Sequence, residues 1–315
     1  MIMKINEKKN INEFNISLSI LRMYLSFIVV NNHLCKKNEF KNIYLSKLLR
    51  NAISVPTFFL ISFFLCHKLF SLNDRNRIKH RFERLLIPYF LWPIIIWSFN
   101  NIFHFYLKVN LKTSLYDLIV QFLTGHNIVA VLWFQLNLII ITLLMLLIHK
   151  LFNNNALFIL INLQILAYYF QYSHINYTFF SKFSFYSKYP FGRFIEVIPF
   201  CVSGYIIGSL NIIKHLKKNR IKTFYITILI LLFSMKFTIF LSIKGFMYQG
   251  IKLHITSIII FILFALNPFE KAKYIKNIII SVTNYTSGVY YLHIPIWNYL
   301  SNYTIILLII YNDIN

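Results

Sequence analysis

The sequence predicts an all-α fold: a polytopic membrane helical bundle of about nine to ten spans, forming a single domain over residues 1–315. Three observations predict it. Hydrophobic residues make up 58% of the chain and charged residues 13%, with a mean hydropathy of +0.61, which is too apolar for an ordinary soluble domain. The apolar residues fall in runs of about 20, the length a helix needs to cross hydrocarbon. The basic residues cluster between those runs, so the net charge of +23 fits loops at a membrane surface better than a nucleic-acid-binding domain. Membrane lipids are therefore expected partners, and nucleic acid is not.

Residues 1–15 are polar and basic (Lys4, Lys8, Lys9) and read as a cytoplasmic tail; without a small-residue cleavage site they are expected to be retained. Spans then follow near 16–34, 51–70, 85–106, 128–149, 156–172, 194–213, 223–241, 251–267 and 278–300. The last apolar run, 303–311, is about half a span long and reads as a short helix or a truncated tenth span. Lysine and arginine are in excess on the side shared with the N-terminus, which places that terminus inside, although Lys36, Lys37, Lys41, Lys47 and Arg50 in the first outer loop go against the rule. Trp92, Trp97, Trp133 and Trp297 lie near span ends, as an aromatic belt would. Cys35, Cys66 and Cys201 are too scattered for a disulfide frame or a CxxC site, and no metal site is read.

The first span carries two ionisable residues. Arg22 and His33 are eleven residues apart, about 16 Å along one helix and only about 20° apart around it, so they share a face. Asn15, Ser19 and Ser26 lie on or beside that stripe. Ionisable residues within a span usually look into the protein and mark function. The alternative is that Arg22 snorkels to one interface while His33 marks the other. Before the third span, Arg77, Arg81 and Arg84 recur at helical spacing, a set suited to phosphate groups and equally to a positive-inside anchor on anionic lipid. Glu196, three residues after Arg193, either pairs with it locally or serves proton chemistry. His293, in the ninth span, lines the same cavity as His33 or is a structural histidine. No Walker loop, GxSxG elbow, HExxH pair or carboxylate dyad is present. Imidazole and guanidinium groups are left as the available chemistry: one to take a proton from a hydroxyl, the other to hold an oxyanion.

Several segments together resemble the integral-membrane acyltransferase-3 family, which acylates carbohydrates and other acceptors from acyl-CoA. Arg22-x10-His33 is similar to the family's Arg-x10-His signature, and Ser54-Val-Pro-Thr-Phe-Phe-Leu-Ile-Ser-Phe-Phe-Leu65 to its second span. Arg81-Phe-Glu-Arg84 with Leu85-Leu-Ile-Pro-Tyr-Phe-Leu-Trp92 resembles its Arg-x-x-Arg and Leu-x-Pro-Tyr-x-x-Trp run. Leu132-Trp-Phe134, Ile198-Pro-Phe-Cys-Val-Ser-Gly-Tyr-Ile-Ile-Gly208 and Gly288-Val-Tyr-Tyr-Leu-His293 follow in the family's order.

The resemblance implies that His33 is the general base toward an acceptor hydroxyl, supported by Arg22, and that Arg81 and Arg84 contact the acyl-CoA donor from the cytoplasmic side. Ser26, Glu196 and His293 are candidate cavity-lining residues. Phe63 stands where the family commonly has glycine, and a ring there would fill a close helix contact or narrow the substrate passage. The expectation is an O-acyltransferase of the bacterial plasma membrane, with acetyl-CoA the leading co-substrate and no permanently bound cofactor. It would modify a sugar hydroxyl of a surface polysaccharide or its lipid-linked precursor. The competing class is a carrier or flippase for a lipid-linked saccharide, in which Arg22 and His33 bind a pyrophosphate in transit.

Overall fold

The computed structural model describes residues 16–34, 53–72, 74–107, 112–125, 128–129, 132–172, 190–238, 251–266, 278–279 and 282. These are helical, with no strand among them: α1 (Ile16–Leu34), α2 (Ser54–Leu72), α3 (Arg75–Leu107), α4 (Leu115–Thr124), α5 (Leu132–Phe152), α6 (Ala156–Tyr172), α7 (Pro190–Ser209), α8 (Ile212–Lys217), α9 (Arg220–Thr238) and α10 (Ile251–Ala265). Arg75–Ile102 and Leu132–Gln171 are the two stretches among the described residues long and apolar enough to cross a membrane; Ile16–Val30, Ser54–Phe70 and Leu253–Ala265 are shorter apolar helices. The second long stretch is α5 and α6 joined at Asn153–Asn155, a tight turn entered by Asn153 at φ +42°. Because the two helices also pack on each other, they form a hairpin. The expected ninth span, the run at 303–311 and the tail at 1–15 lie outside the described residues apart from fragments at 278–279 and 282.

The bundle is organised around the crossing of α2 and α7, the most extensive helix contact among the described residues. Gly204 makes that crossing close: a Cβ there would sit 2.2 Å from the carbonyl oxygen of Leu60. Small residues at such points let two backbones approach in a membrane, where lipid is as apolar as leucine and only packing brings helices together. On one side of the pair lie α5 and α6; on the other, α1 and α10 pack against α2 and each other. Phe59, Phe63, Val197 and Cys201 belong to one buried cluster, and Leu18, Leu21, Leu25, Leu60 and Phe261 to a second, so each face of α2 has its own core.

The outside of α3 is apolar: Ile87, Phe90, Leu91, Ile94, Phe99, Ile102 and Phe105 are all exposed. A water-facing surface rarely presents so continuous a skin, whereas a bilayer-facing one requires it. Within hydrocarbon, freed backbone groups need internal partners. Pro199 in α7 has no N–H for the carbonyl of Ile195 one turn back, and Gln171 Nε2 of α6 donates to that oxygen at 3.0 Å. Gln164 of α6 likewise donates to Ser203 Oγ at 3.2 Å, and the Tyr168 hydroxyl pairs with His254 Nδ1 of α10.

Three expectations change. The third element does not begin near Leu85: α3 starts at Arg75 and runs 33 residues through Pro88 and Pro93, so the arginine cluster is part of the same rod as the span. Hydropathy marks where apolar composition starts, not where helical backbone does. Between that span and the next, where the sequence reading placed only an outer loop, α4 forms. Its start is a reciprocal cap, with Ser114 N donating to Asp117 Oδ2 at 2.7 Å and Asp117 N to Ser114 Oγ at 3.1 Å, and its end is Gly125 at φ +67°. Trp133 is not part of an interfacial belt. It is buried in the core, with the Arg193 guanidinium 4.5 Å from its ring centroid. Trp297 lies outside the described residues.

Candidate active site

The first turns of α3 meet the second half of α2 around a cavity of about 540 Å³ lined by Phe64, Cys66, His67, Lys68, Arg77, His80, Arg81 and Arg84 among others. That volume is in the range of pockets that hold small organic ligands, about 300–1,000 Å³. Asp74 caps the helix, accepting from the backbone N–H groups of Asn76 (3.0 Å) and Arg77 (3.3 Å). Arg77, Arg81 and Arg84 then project from one face of α3, as their i, i+4, i+7 spacing requires.

Some of the basic side chains in the first turns of α3 have acidic neighbours: Arg77 Nε lies 3.1 Å from Asp74 Oδ2, His80 Nδ1 3.1 Å from Glu83 Oε2, and Lys79 Nζ 3.8 Å from Glu83 Oε1. Arg81 and Arg84 have no carboxylate partner among the described residues. Arg81 reaches into the bundle. Its Nη2 donates to Ser62 Oγ of α2 at 3.0 Å and to Thr142 Oγ1 of α5 at 3.4 Å, its Nε also donates to Thr142 Oγ1 at 3.4 Å, and its guanidinium lies 5.4 Å from the centroid of Phe63. Arg84 is exposed on the cavity wall.

Arg22 enters the same region from α1. Leu18, Leu21, Leu25, Ser26 and Val29 are buried, which defines the inward face of α1, and Arg22 falls within that face by register while keeping solvent access. It lies close enough to Arg84 for the two positive charges to repel each other. Guanidinium groups stay charged at any pH a protein meets, so Arg81 and Arg84, which line one cavity with no carboxylate partner among the described residues, form a site suited to an anion.

Arg81 and Arg84 thus share the α2–α3 cavity, while Arg22 of α1 is not among the residues lining it. His33 lies in the last turn of α1, three turns beyond Arg22 on the same face by backbone register; its side chain is outside the described residues. Ser26 is buried and donates its hydroxyl to the carbonyl of Arg22 at 3.0 Å. Glu196 is buried in α7, where Gln171 also reaches its carbonyl oxygen at 3.4 Å. Neither Ser26 nor Glu196 is among the residues lining the α2–α3 cavity. His293 lies outside the described residues.

The sequence reading missed His67, Lys68 and Thr142. His67 and Lys68 were legible as polar residues near the end of an apolar run, next to a basic stretch. Thr142 carried no signal: it is a single hydroxyl in the apolar α5, brought to Arg81 across 61 positions of chain. Phe63 does not occupy the close α2–α7 approach, which belongs to Leu60 and Gly204. Its ring is fully buried, stacks with Phe70 at 6.2 Å and faces Arg81.

An apolar-skinned helical bundle with a pocket of uncompensated arginines is the build of a membrane protein that handles an anionic partner. A family model described as an acyltransferase domain, that of the acyltransferase-3 family, matches residues 15–313, and the chain belongs to this family: it is an acyltransferase. None of the curated proteins and none of the solved structures it was compared with gives a significant match.

Proposed function

We propose that this acyltransferase moves an acyl group, acetyl in the simplest case, from acyl-CoA to a hydroxyl of a surface polysaccharide or its lipid-linked precursor. It does so as a bacterial plasma-membrane protein of nine to ten spans with its N-terminus in the cytoplasm. The observation that carries this reading is the α2–α3 cavity, where Arg81 and Arg84 supply fixed positive charge without a carboxylate partner among the described residues. Coenzyme A is rich in phosphate, and arginine forks match phosphate geometry.

In this reading Arg81 and Arg84 hold the donor's phosphates, and the pantetheine arm runs along the inward face of α1 toward His33, about 16 Å from Arg22 along the helix. The His33 imidazole takes the proton of the acceptor hydroxyl as its oxygen attacks the thioester carbonyl. A new C–O bond forms, the C–S bond breaks, and coenzyme A leaves as the thiolate, to be protonated in turn. Arg22 supports the imidazole and the charge that develops on the carbonyl oxygen.

The test is transfer of label from radiolabelled acetyl-CoA to glycan by membranes containing the full chain. His33→Ala should reduce transfer at least about a hundredfold, in line with loss of a general base, while the protein still inserts. Undiminished labelling by that variant refutes the assigned base. Movement of a lipid-linked saccharide with no label transferred refutes the enzymatic reading altogether.

A further inference from the structure

Arg81 is a charged side chain most of whose donors are used by the protein itself. A guanidinium offers five N–H groups. Those on Nε and Nη2 point to Ser62 Oγ and Thr142 Oγ1, while Nη1 has no partner among the described residues. Thr142 has its own proton committed, since its hydroxyl donates to the carbonyl of Leu138 at 2.6 Å. A hydroxyl has one hydrogen and two lone pairs, so with the hydrogen placed Thr142 can only accept from Arg81. The polarity of the contact is fixed by the α5 backbone.

Below the guanidinium plane, the Phe63 ring closes off a third direction. Two hydroxyls on one edge and a ring beneath leave little rotational freedom, and the edge that stays open belongs to a residue that lines the cavity. The contacts to Thr142 are long, at 3.4 Å, and suit a group that sets direction more than one that contributes strength.

We propose that Thr142, together with Ser62, is a positioning residue of the donor site: it turns Arg81 so that Nη1 faces a phosphate group of the acyl-CoA. The proposal rests on reading the cavity as the donor site. It also divides labour within the arginine set, with Arg81 held as a pre-oriented fork and Arg84 as an adaptable charge on the wall. Pre-orientation favours binding because less side-chain freedom is lost when the ligand arrives.

The experiment is equilibrium binding of radiolabelled coenzyme A to the detergent-purified full chain. Thr142→Val keeps the shape and removes the acceptor; it should weaken binding about three- to tenfold, in the range of one ordinary net hydrogen bond, as befits contacts of 3.4 Å. Thr142→Ser, which keeps the hydroxyl, should bind within about twofold of wild type. In an Arg81→Ala background Thr142→Val should have no further effect, an outcome that a merely structural role would not give.

Unchanged binding by Thr142→Val, or the same loss with and without Arg81, overturns the proposal. Should Thr142→Val fail to accumulate, Ser62→Ala provides the same comparison from the other side of the fork. Wild-type protein that does not bind coenzyme A overturns the donor-site reading and this inference together. Wild-type binding that Thr142→Val leaves intact overturns the inference alone.

Discussion

Replacing Gly204 with alanine would put a methyl carbon 2.2 Å from the carbonyl oxygen of Leu60, 3.0 Å from its carbonyl carbon and 3.1 Å from its Cα. Every one of these atoms is main chain, so no rotamer change relieves the contact. Restoring ordinary separation at 3.4 Å requires α2 and α7 to part by about 1.2 Å, in a core packed as densely as an organic crystal. Overpacking of this kind costs about 1–3 kcal/mol, and a backbone clash falls at the upper end. Alanine returns about 1 kcal/mol through its better helix propensity, leaving a net loss of about 2 kcal/mol.

Gly208, one turn further along α7, provides the control. A Cβ there meets the Cγ and Nδ1 of the His67 imidazole at 2.6 Å, which can swing away, and the His67 Cβ at 2.9 Å, which moves only with its backbone. The swing costs about 1 kcal/mol of rotamer energy and the contact from His67 Nδ1 to the Phe64 carbonyl at 2.5 Å, offset in part by the same helix gain. Thermal unfolding of the detergent-purified proteins, side by side, should show Gly204→Ala several degrees below wild type and Gly208→Ala between the two. The glycine account is refuted if Gly204→Ala melts with wild type, or if Gly208→Ala is the more damaged of the two.

Two further outcomes follow from the polar interior. Arg84→Gln removes one of two like charges held near each other, so the unliganded protein should melt at or above the wild-type temperature while coenzyme A no longer raises it; a lower melting point without ligand contradicts the crowding of Arg22 and Arg84. Gln171→Leu leaves the Ile195 carbonyl, freed by Pro199, without its donor inside the bundle and should cost about 1–3 kcal/mol. Adding Pro199→Ala supplies the missing N–H one turn along and should recover much of that loss; no recovery in the unfolding temperature rules the pairing out.

The sequence showed an all-helical membrane protein, the inward stripe of α1 and the identity of the arginines, because these depend on composition and on spacing along one helix. It did not show where α3 begins. A basic stretch and an apolar stretch join into one rod without any compositional mark at the junction, and only backbone hydrogen bonding decides that they do. The helix α4 is legible in the sequence: Ser114 and Asp117 stand at capping-box spacing before an apolar run, with Gly125 beyond its end. Attention to hydropathy alone hides a ten-residue helix, since it is too short to span.

Periodicity put Arg22 and His33 on one face from sequence alone, since a shared face is a matter of about 100° per residue. That Arg81 meets Ser62 and Thr142 came only with the packing of α2, α3 and α5. These contacts join residues 19 and 61 positions apart. Chemistry within a helix is written in its order of residues; chemistry between helices is set by which surfaces fit together, and a linear chain does not carry that information in any local pattern.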